Sequence, residues 1–145
     1  MQLGGPNMVS TKTARIQTNG NCDIVDITGQ VTQAINESGL NVGTITVFVA
    51  HSTCGITTVE YEPGLVSDLQ DLFDRIAPQS IPYGHDKRWG DGNGHSHVRA
   101  SLLGGSLVIP FADGRPILGT WQQLILIDFD NRARTRVVVF QIIGE

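Results

Sequence analysis

The chain has 145 residues, 40% of them apolar and 17% charged, with a formal net charge of −4. A chain of this length buries roughly 68–70% of its unfolded surface as one body, so a single domain is expected over residues 8–145, behind a tail at 1–7. Fourteen acidic against ten basic residues, with no lysine-rich block, do not make the footprint of a nucleic-acid binder, and no apolar run is long enough to span a membrane.

The opening MQLGGPNMVS has no charged start followed by an apolar run, so a cytoplasmic protein is expected. Met8–Thr18 mixes Val, Thr and Ile in alternation, and Cys22–Ile27 repeats that texture after Asn19-Gly20-Asn21. Residues tolerant of positive φ between two such runs predict a β-hairpin. From Thr28 the period changes: Val31, Ala34 and Ile35 fall on one helical face, Thr28 is a candidate N-cap and Gly39 a stop. Gly43–Ala50 (GTITVFVA) reads as a strand buried on both faces that delivers the chain to His51. Pro63 opens a second helix, with Leu65, Leu69, Leu72, Phe73 and Ile76 as its apolar stripe and Pro78 as its end.

Gln79–Gly94 has no period and is read as a long loop of the kind that carries function. Val98–Pro110, Leu124–Phe129 and Arg134–Ile143 read as antiparallel strands, with Asp113-Gly114 as a turn. The expected class is α+β, mainly an antiparallel β-sandwich with two or three helices.

All four histidines, His51, His85, His95 and His97, fall in or beside non-helical turns. If the second pair is extended, both rings leave one face, a geometry that suits a metal site; acid–base work without metal is the alternative. Ser52 and Thr53 follow His51, and hydroxyls with free amides after a strand can hold a phosphate. Glu60 is a candidate acid, base or metal ligand, whereas Glu62, just before Pro63, reads as a helix-start residue. Cys54, a lone cysteine in an apolar run, reads as a core residue rather than a nucleophile. Asp91-Gly92-Asn93-Gly94 opens like a calcium loop but meets Leu102 where the bidentate Glu belongs. Trp121 and Gln122 can stack on and hydrogen-bond a flat heterocycle, or sit in a core. Arg132, Arg134 and Arg136 alternate, which suits carboxylate or phosphate recognition, a soluble surface or an intersubunit ion pair.

Taken in order, these motifs resemble the YjbQ-like proteins, also called the secondary thiamine-phosphate synthase family. The residues that carry the likeness are His51-Ser52-Thr53 with Gly55-Ile56-Thr57 and Glu60, Tyr83-Gly84-His85, Asn93-Gly94-His95-Ser96-His97 with Ala100-Ser101-Leu102-Leu103-Gly104, Leu118-Gly119-Thr120-Trp121-Gln122, and Phe129-Asp130 with Arg134 and Arg136. The resemblance implies a homotrimer and a weak transferase activity that joins a hydroxymethylpyrimidine diphosphate to a thiazole phosphate. It puts His51, Glu60, His85 and His97 in a polar pocket walled by Thr120, Trp121 and Gln122. Two departures from the family pattern are Val59, where Asn often precedes the glutamate, and Cys54 in place of a small residue.

The expected site therefore has His51, Glu60 and His97 as catalytic groups, and Ser52, Thr53, Thr120, Trp121 and Gln122 as substrate contacts. His85, His95 and His97 are its expected metal ligands, for Mg²⁺ or Zn²⁺, with Glu60 and either Asp86 or Asp91 as the acidic pair expected to serve Mg²⁺. The expected partner is a small phosphorylated heterocycle or anion. A non-catalytic metal- or anion-binding trimer and a zinc-dependent hydrolase are the alternatives.

Overall fold

The computed structural model describes residues 8–145, so the tail expected at 1–7 lies outside the described residues. Its strands are β1 (Met8–Thr18), β2 (Asp23–Asp26), β3 (Val42–Val49), β4 (Cys54–Val59), β5 (Ser106–Ala112), β6 (Arg115–Pro116), β7 (Gln123–Asp128) and β8 (Arg134–Gly144). Its helices are α1 (Thr28–Ser38), α2 (Pro63–Ile76), α3 (Gly84–Trp89) and α4 (Gly94–Leu103). The class is α+β as expected, built from one antiparallel sheet in the order β1-β8-β3-β5-β6 and another in the order β2-β7-β4.

Burial sorts these elements into layers. Ile45, Val47, Phe111, Val138 and Phe140 of the larger sheet pack against Ile56, Leu124 and Leu126 of the smaller one, with Val31 and Ile35 of α1 in the same cluster. The other face of the smaller sheet presents Ile125, Ile127 and Phe129 to Phe73 of α2 and Ala100 of α4. Apolar residues at odd and even positions of β7 thus serve opposite faces, as a strand buried on both sides requires. That role was expected of β3, but β3 alternates buried and exposed residues because no element among the described residues covers the outer face of its sheet. No helix among the described residues is long and apolar enough to cross a membrane.

Several local expectations change. The two strands around Asn19-Gly20-Asn21 do not form a hairpin: β1 pairs with β8 and β2 with β7. Gly20, Asn21 and Cys22 all take positive φ (72°, 55° and 62°) and bend the chain from one sheet into the other. A side chain at Gly20 would run into the carbonyl of Arg132, so the bend also depends on close backbone approach.

Helix α1 ends at Gly39 as expected, but Ile27 occupies its N-cap position; the Thr28 hydroxyl instead accepts the amide of Leu124. Pro63 does open α2, and the Glu62 carboxylate caps it by accepting the amides of Gly64 and Leu65. Its buried contacts come from Val66, Leu69 and Phe73, leaving Leu72 and Ile76 exposed. The segment expected as a loop contains α3, and the strand expected from Val98 begins as α4 and becomes β5 only at Ser106.

Gly43 and Gly144 face each other in the β3–β8 ladder, and a Cβ on Gly43 would collide with the carbonyl of Ile143. Gly43→Ala is expected to cost about 2 kcal/mol or more in urea unfolding by forcing the two strands apart. A loss below about 0.5 kcal/mol would show that the ladder yields easily.

Candidate functional site

At one end of the two sheets, β7 ends at Asp128, Phe129 and Asp130 follow it, and β8 begins at Arg134. Successive strand residues point to opposite faces, so Phe129 enters the apolar cluster under α2 and α4 while both aspartates turn the other way. A carboxylate at such a depth requires a partner. Arg136, 4% exposed, supplies it as a fork: its Nε donates to Asp128 Oδ2 at 2.6 Å and its Nη2 to Oδ1 at 2.8 Å. The same Nη2 reaches Thr53 Oγ1 at 2.7 Å and Asp130 Oδ2 at 3.3 Å. Thr18 donates to Asp128, and Arg134 and Asn93 donate to Asp130. Burial opposes both carboxylates, but the hydrogen bonds and guanidinium charges outweigh it and hold each below its usual range.

This network forms the floor of a pocket of about 310 Å³ lined by Ala50, His51, Ser52, Thr53, Asn93, His97, Asp130, Arg134 and Arg136. His51 is oriented by the larger sheet, because its Nε2 accepts the Val137 amide at 3.0 Å. The neutral ring therefore carries its proton on Nδ1 and offers the pocket a donor. Burial, and then the charge of Arg136, hold this imidazole below its usual pKa. His97 stands on α4 with its ring centroid 4.3 Å from that of His85 on α3, and burial followed by the His85 charge lowers its pKa also.

Beside that ring pair, His85 Nδ1 stands 3.7 Å from Asp86 and 3.4 Å from Asp91, a group whose ligand atoms all lie within 4.8 Å. The Nδ1 atom is buried and has no hydrogen-bond partner among the described residues.

Sequence reasoning placed His85, His95 and His97 around one metal. The structure unites His85 and His97 but not His95, because the segment is helical rather than extended. Two residues apart on a helix project about 200° apart. His95 is accordingly buried (2% exposed), on the far side of α4 from His97, and shares a separate cavity with Arg99. The carboxylates that replace it, Asp86 and Asp91, sit in the segment expected to be an unstructured loop.

Ser52 and Thr53 do line the pocket, although the Thr53 hydroxyl is already engaged by Arg136. Glu60 does not reach it. Six residues of β4 separate Thr53 from Glu60, about 23 Å at strand spacing. Glu60 is exposed at the opposite end of the strand, in the region of Thr120, Trp121 and Gln122, where Gln122 donates to Thr58 and Trp121 is 73% exposed. The arginines are likewise reassigned: Arg136 is buried and spent on Asp128, Arg134 is paired with Asp130, and Arg132 lies outside β8. Cys54 is a core residue as expected, and burial pushes its thiol up to about 12.

Asp128 is the site residue that sequence reasoning missed, and Asp130 was named only as part of the family likeness; the available signal was a pair of acids just past the apolar run Leu124–Ile127.

Arg136→Met strands the buried Asp128 charge, and urea unfolding at pH 7 is expected to show a loss of about 3–5 kcal/mol; a loss under about 1 kcal/mol contradicts the role given to the pair. Both aspartates have depressed folded-state pKa values, so their stabilisation is complete above the ordinary carboxylate value and disappears as pH falls below about 4. His51 is depressed too, so its contribution is complete above about pH 6.5 and is lost as pH falls through the lower folded value. In ¹³C-labelled protein the His51 ring is expected to titrate with a midpoint below about 6.5, and a midpoint at or above that value refutes the Val137 hydrogen bond as its anchor.

Comparison with other proteins agrees with this architecture. A UPF0047 protein of Methanothermobacter thermautotrophicus is 35% identical over 139 residues, covering 96% of each chain. UPF0047 protein YugU of Bacillus subtilis is 33% identical over 135 residues, covering 92% of this chain and 98% of its own. The crystal structure of a YbjQ-like protein of unknown function from Sulfolobus solfataricus superposes with a TM-score of 0.90 at 33% identity, over 96% of this chain and 99% of that one. The family model described as UPF0047 protein YjbQ-like matches residues 12–145. The chain belongs to the YjbQ-like UPF0047 family.

Proposed function

We propose that the chain is a divalent-metal-assisted transferase acting on a small phosphorylated heterocycle. The reaction class is the one implied by the family likeness, joining a hydroxymethylpyrimidine diphosphate to a thiazole phosphate. The observation that carries this reading is the His85–Asp86–Asp91 group beside His97 at the edge of a charge-balanced pocket. Arg134 and Arg136 are matched by Asp128 and Asp130, so the pocket has no spare cation for an oxyanion. A metal held by the neighbouring group would supply it.

The donor set fits such an ion. His85 Nδ1 is buried and unpartnered, and two carboxylate oxygens stand close by. One nitrogen with two oxygens suits Zn²⁺ or Mn²⁺, while Mg²⁺ would depend on the carboxylates and the substrate's own phosphates. When bound, the ion would neutralise charge building on the departing diphosphate. The chain's own groups do the rest. The His51 Nδ1–H donates to a phosphoryl oxygen, Ser52 offers a second hydroxyl donor, and neutral His97 hydrogen-bonds the same group. The C–O bond breaks with its electron pair on the diphosphate, and the thiazole nitrogen closes the new C–N bond.

Glu60 and Trp121 would join the same site only from a neighbouring copy, which supports the homotrimer in this reading. Two unpaired cysteines, Cys22 and Cys54, support a reducing, cytoplasmic setting. A second reading, a non-catalytic metal-binding module, is favoured by the pocket lining, in which Asp130, ion-paired with Arg134 and Arg136, is the one carboxylate among the described residues.

Thiamine phosphate formation is expected to depend on added divalent ion and to fall about 100-fold or more in His97→Ala and Asp91→Asn. Unchanged rates in both variants sink the assignment. Mixing inactive His97→Ala and Glu60→Gln chains is expected to restore activity if copies share the site. Stoichiometric Zn²⁺ or Mn²⁺ in untagged protein, lost in His85→Ala and accompanied by no turnover, selects the binding module instead.

A further inference from the structure

The oxyanion pocket is not closed. Ala50, His51 and Ser52 also line a groove of about 600 Å³ that runs from the pocket toward Phe48 and the Gly104-Gly105 step between α4 and β5. An engineered cavity of about 150 Å³ holds a benzene ring, so the groove has room for a ring and its substituents. Its walls suit one. Phe48 is 45% exposed, and Gly105 lies beside it, where a Cβ would touch Phe48 Cε2 at 3.8 Å, so the glycine leaves that side of the ring bare.

The groove floor offers few free polar groups. Gly105 O accepts the Val49 amide, Gly104 O accepts the Ile56 amide, and the Ser101 hydroxyl donates to His97 O. Cys54 is buried as an un-ionised thiol. What remains is a flat, weakly polar slot with the Ser52 hydroxyl at the pocket end. We infer that this groove binds a flat, weakly polar ring belonging to the same substrate whose oxyanion sits in the His51–His97 pocket. The inference rests on the pocket reading above and adds a ring subsite that one chain forms from Phe48 and the two glycines.

Gly105 gives a clean test. Its φ is not positive, and a Cβ built there makes only ordinary contacts, with Val49 O at 3.7 Å and Phe48 Cε2 at 3.8 Å, so a larger side chain can be placed against the exposed Phe48 ring without straining the backbone. With Mn²⁺ present, calorimetry is expected to show benzyl phosphate binding the wild-type protein about tenfold or more tighter than inorganic phosphate. Gly105→Leu should abolish that advantage and leave inorganic phosphate within about twofold, and Phe48→Ala, an exposed position, should reduce it in the same direction. Equal binding of the two probes by the wild type, or an advantage that survives in folded Gly105→Leu, overturns the ring subsite. Failure of inorganic phosphate to bind at all, or indifference of its binding to His97→Ala, overturns the pocket reading on which the subsite depends.

Discussion

The ion pair between Arg136 and Asp128 is the constraint around which this end of the molecule is organised. Arg136 belongs to the larger sheet and Asp128 to the smaller one, so the fork fixes the separation of the two layers at the point where their apolar core ends. Each further bond recruits another segment: Thr18 from the end of β1, Thr53 from the approach to β4, and Asn93 from the start of α4, through Asp130. A pair this deep contributes little net stability once desolvation is counted, but breaking it is expensive. Its value here is positional. Five chain segments acquire fixed places around one guanidinium, and the pocket lies between them.

Helix α4 continues this division of labour. One side turns inward, where the Ser96 hydroxyl binds Phe129 O and Arg99 binds Ala77 O and Asp74 at the end of α2. The other side carries His97 to the pocket and Ser101 to the groove. The anchored side therefore sets the height and rotation of the functional side. His95 belongs with the anchors, which is why it is buried and why the His95–Ser96–His97 triplet divides between structure and site.

Much of the scaffold was legible because it follows one dominant period. The apolar face of α1, the Pro63 start of α2 and the strand pairs around Asp113-Gly114 all rest on interactions within a few residues. Pairing choice was not legible in the same way. The Asn-Gly turn announced a reversal, but positive φ fixes where a chain bends and not which sheet receives the next strand. Helix α4 was hidden because it opens with Gly94 and two histidines, poor helix formers, and takes its place from packing on the smaller sheet. The same error propagated to the site. An extended reading joined His95 to His97, whereas a helical one joins His97 to His85 and brings in Asp86 and Asp91. Individual residues such as His51 and Ser52 stood out from their chemistry alone, but their company depended on long-range contacts.

The matched charges of Arg134 and Arg136 against Asp128 and Asp130 also bear on how a ligand arrives. Opposite charges held a few ångströms apart cancel at a distance, and the chain as a whole carries −4. Beyond a Debye length of about 8 Å in physiological salt, such a mouth casts no attractive field for an anion. Encounter is then governed by diffusion and shape, discrimination begins only after contact, and the approach is nearly indifferent to ionic strength.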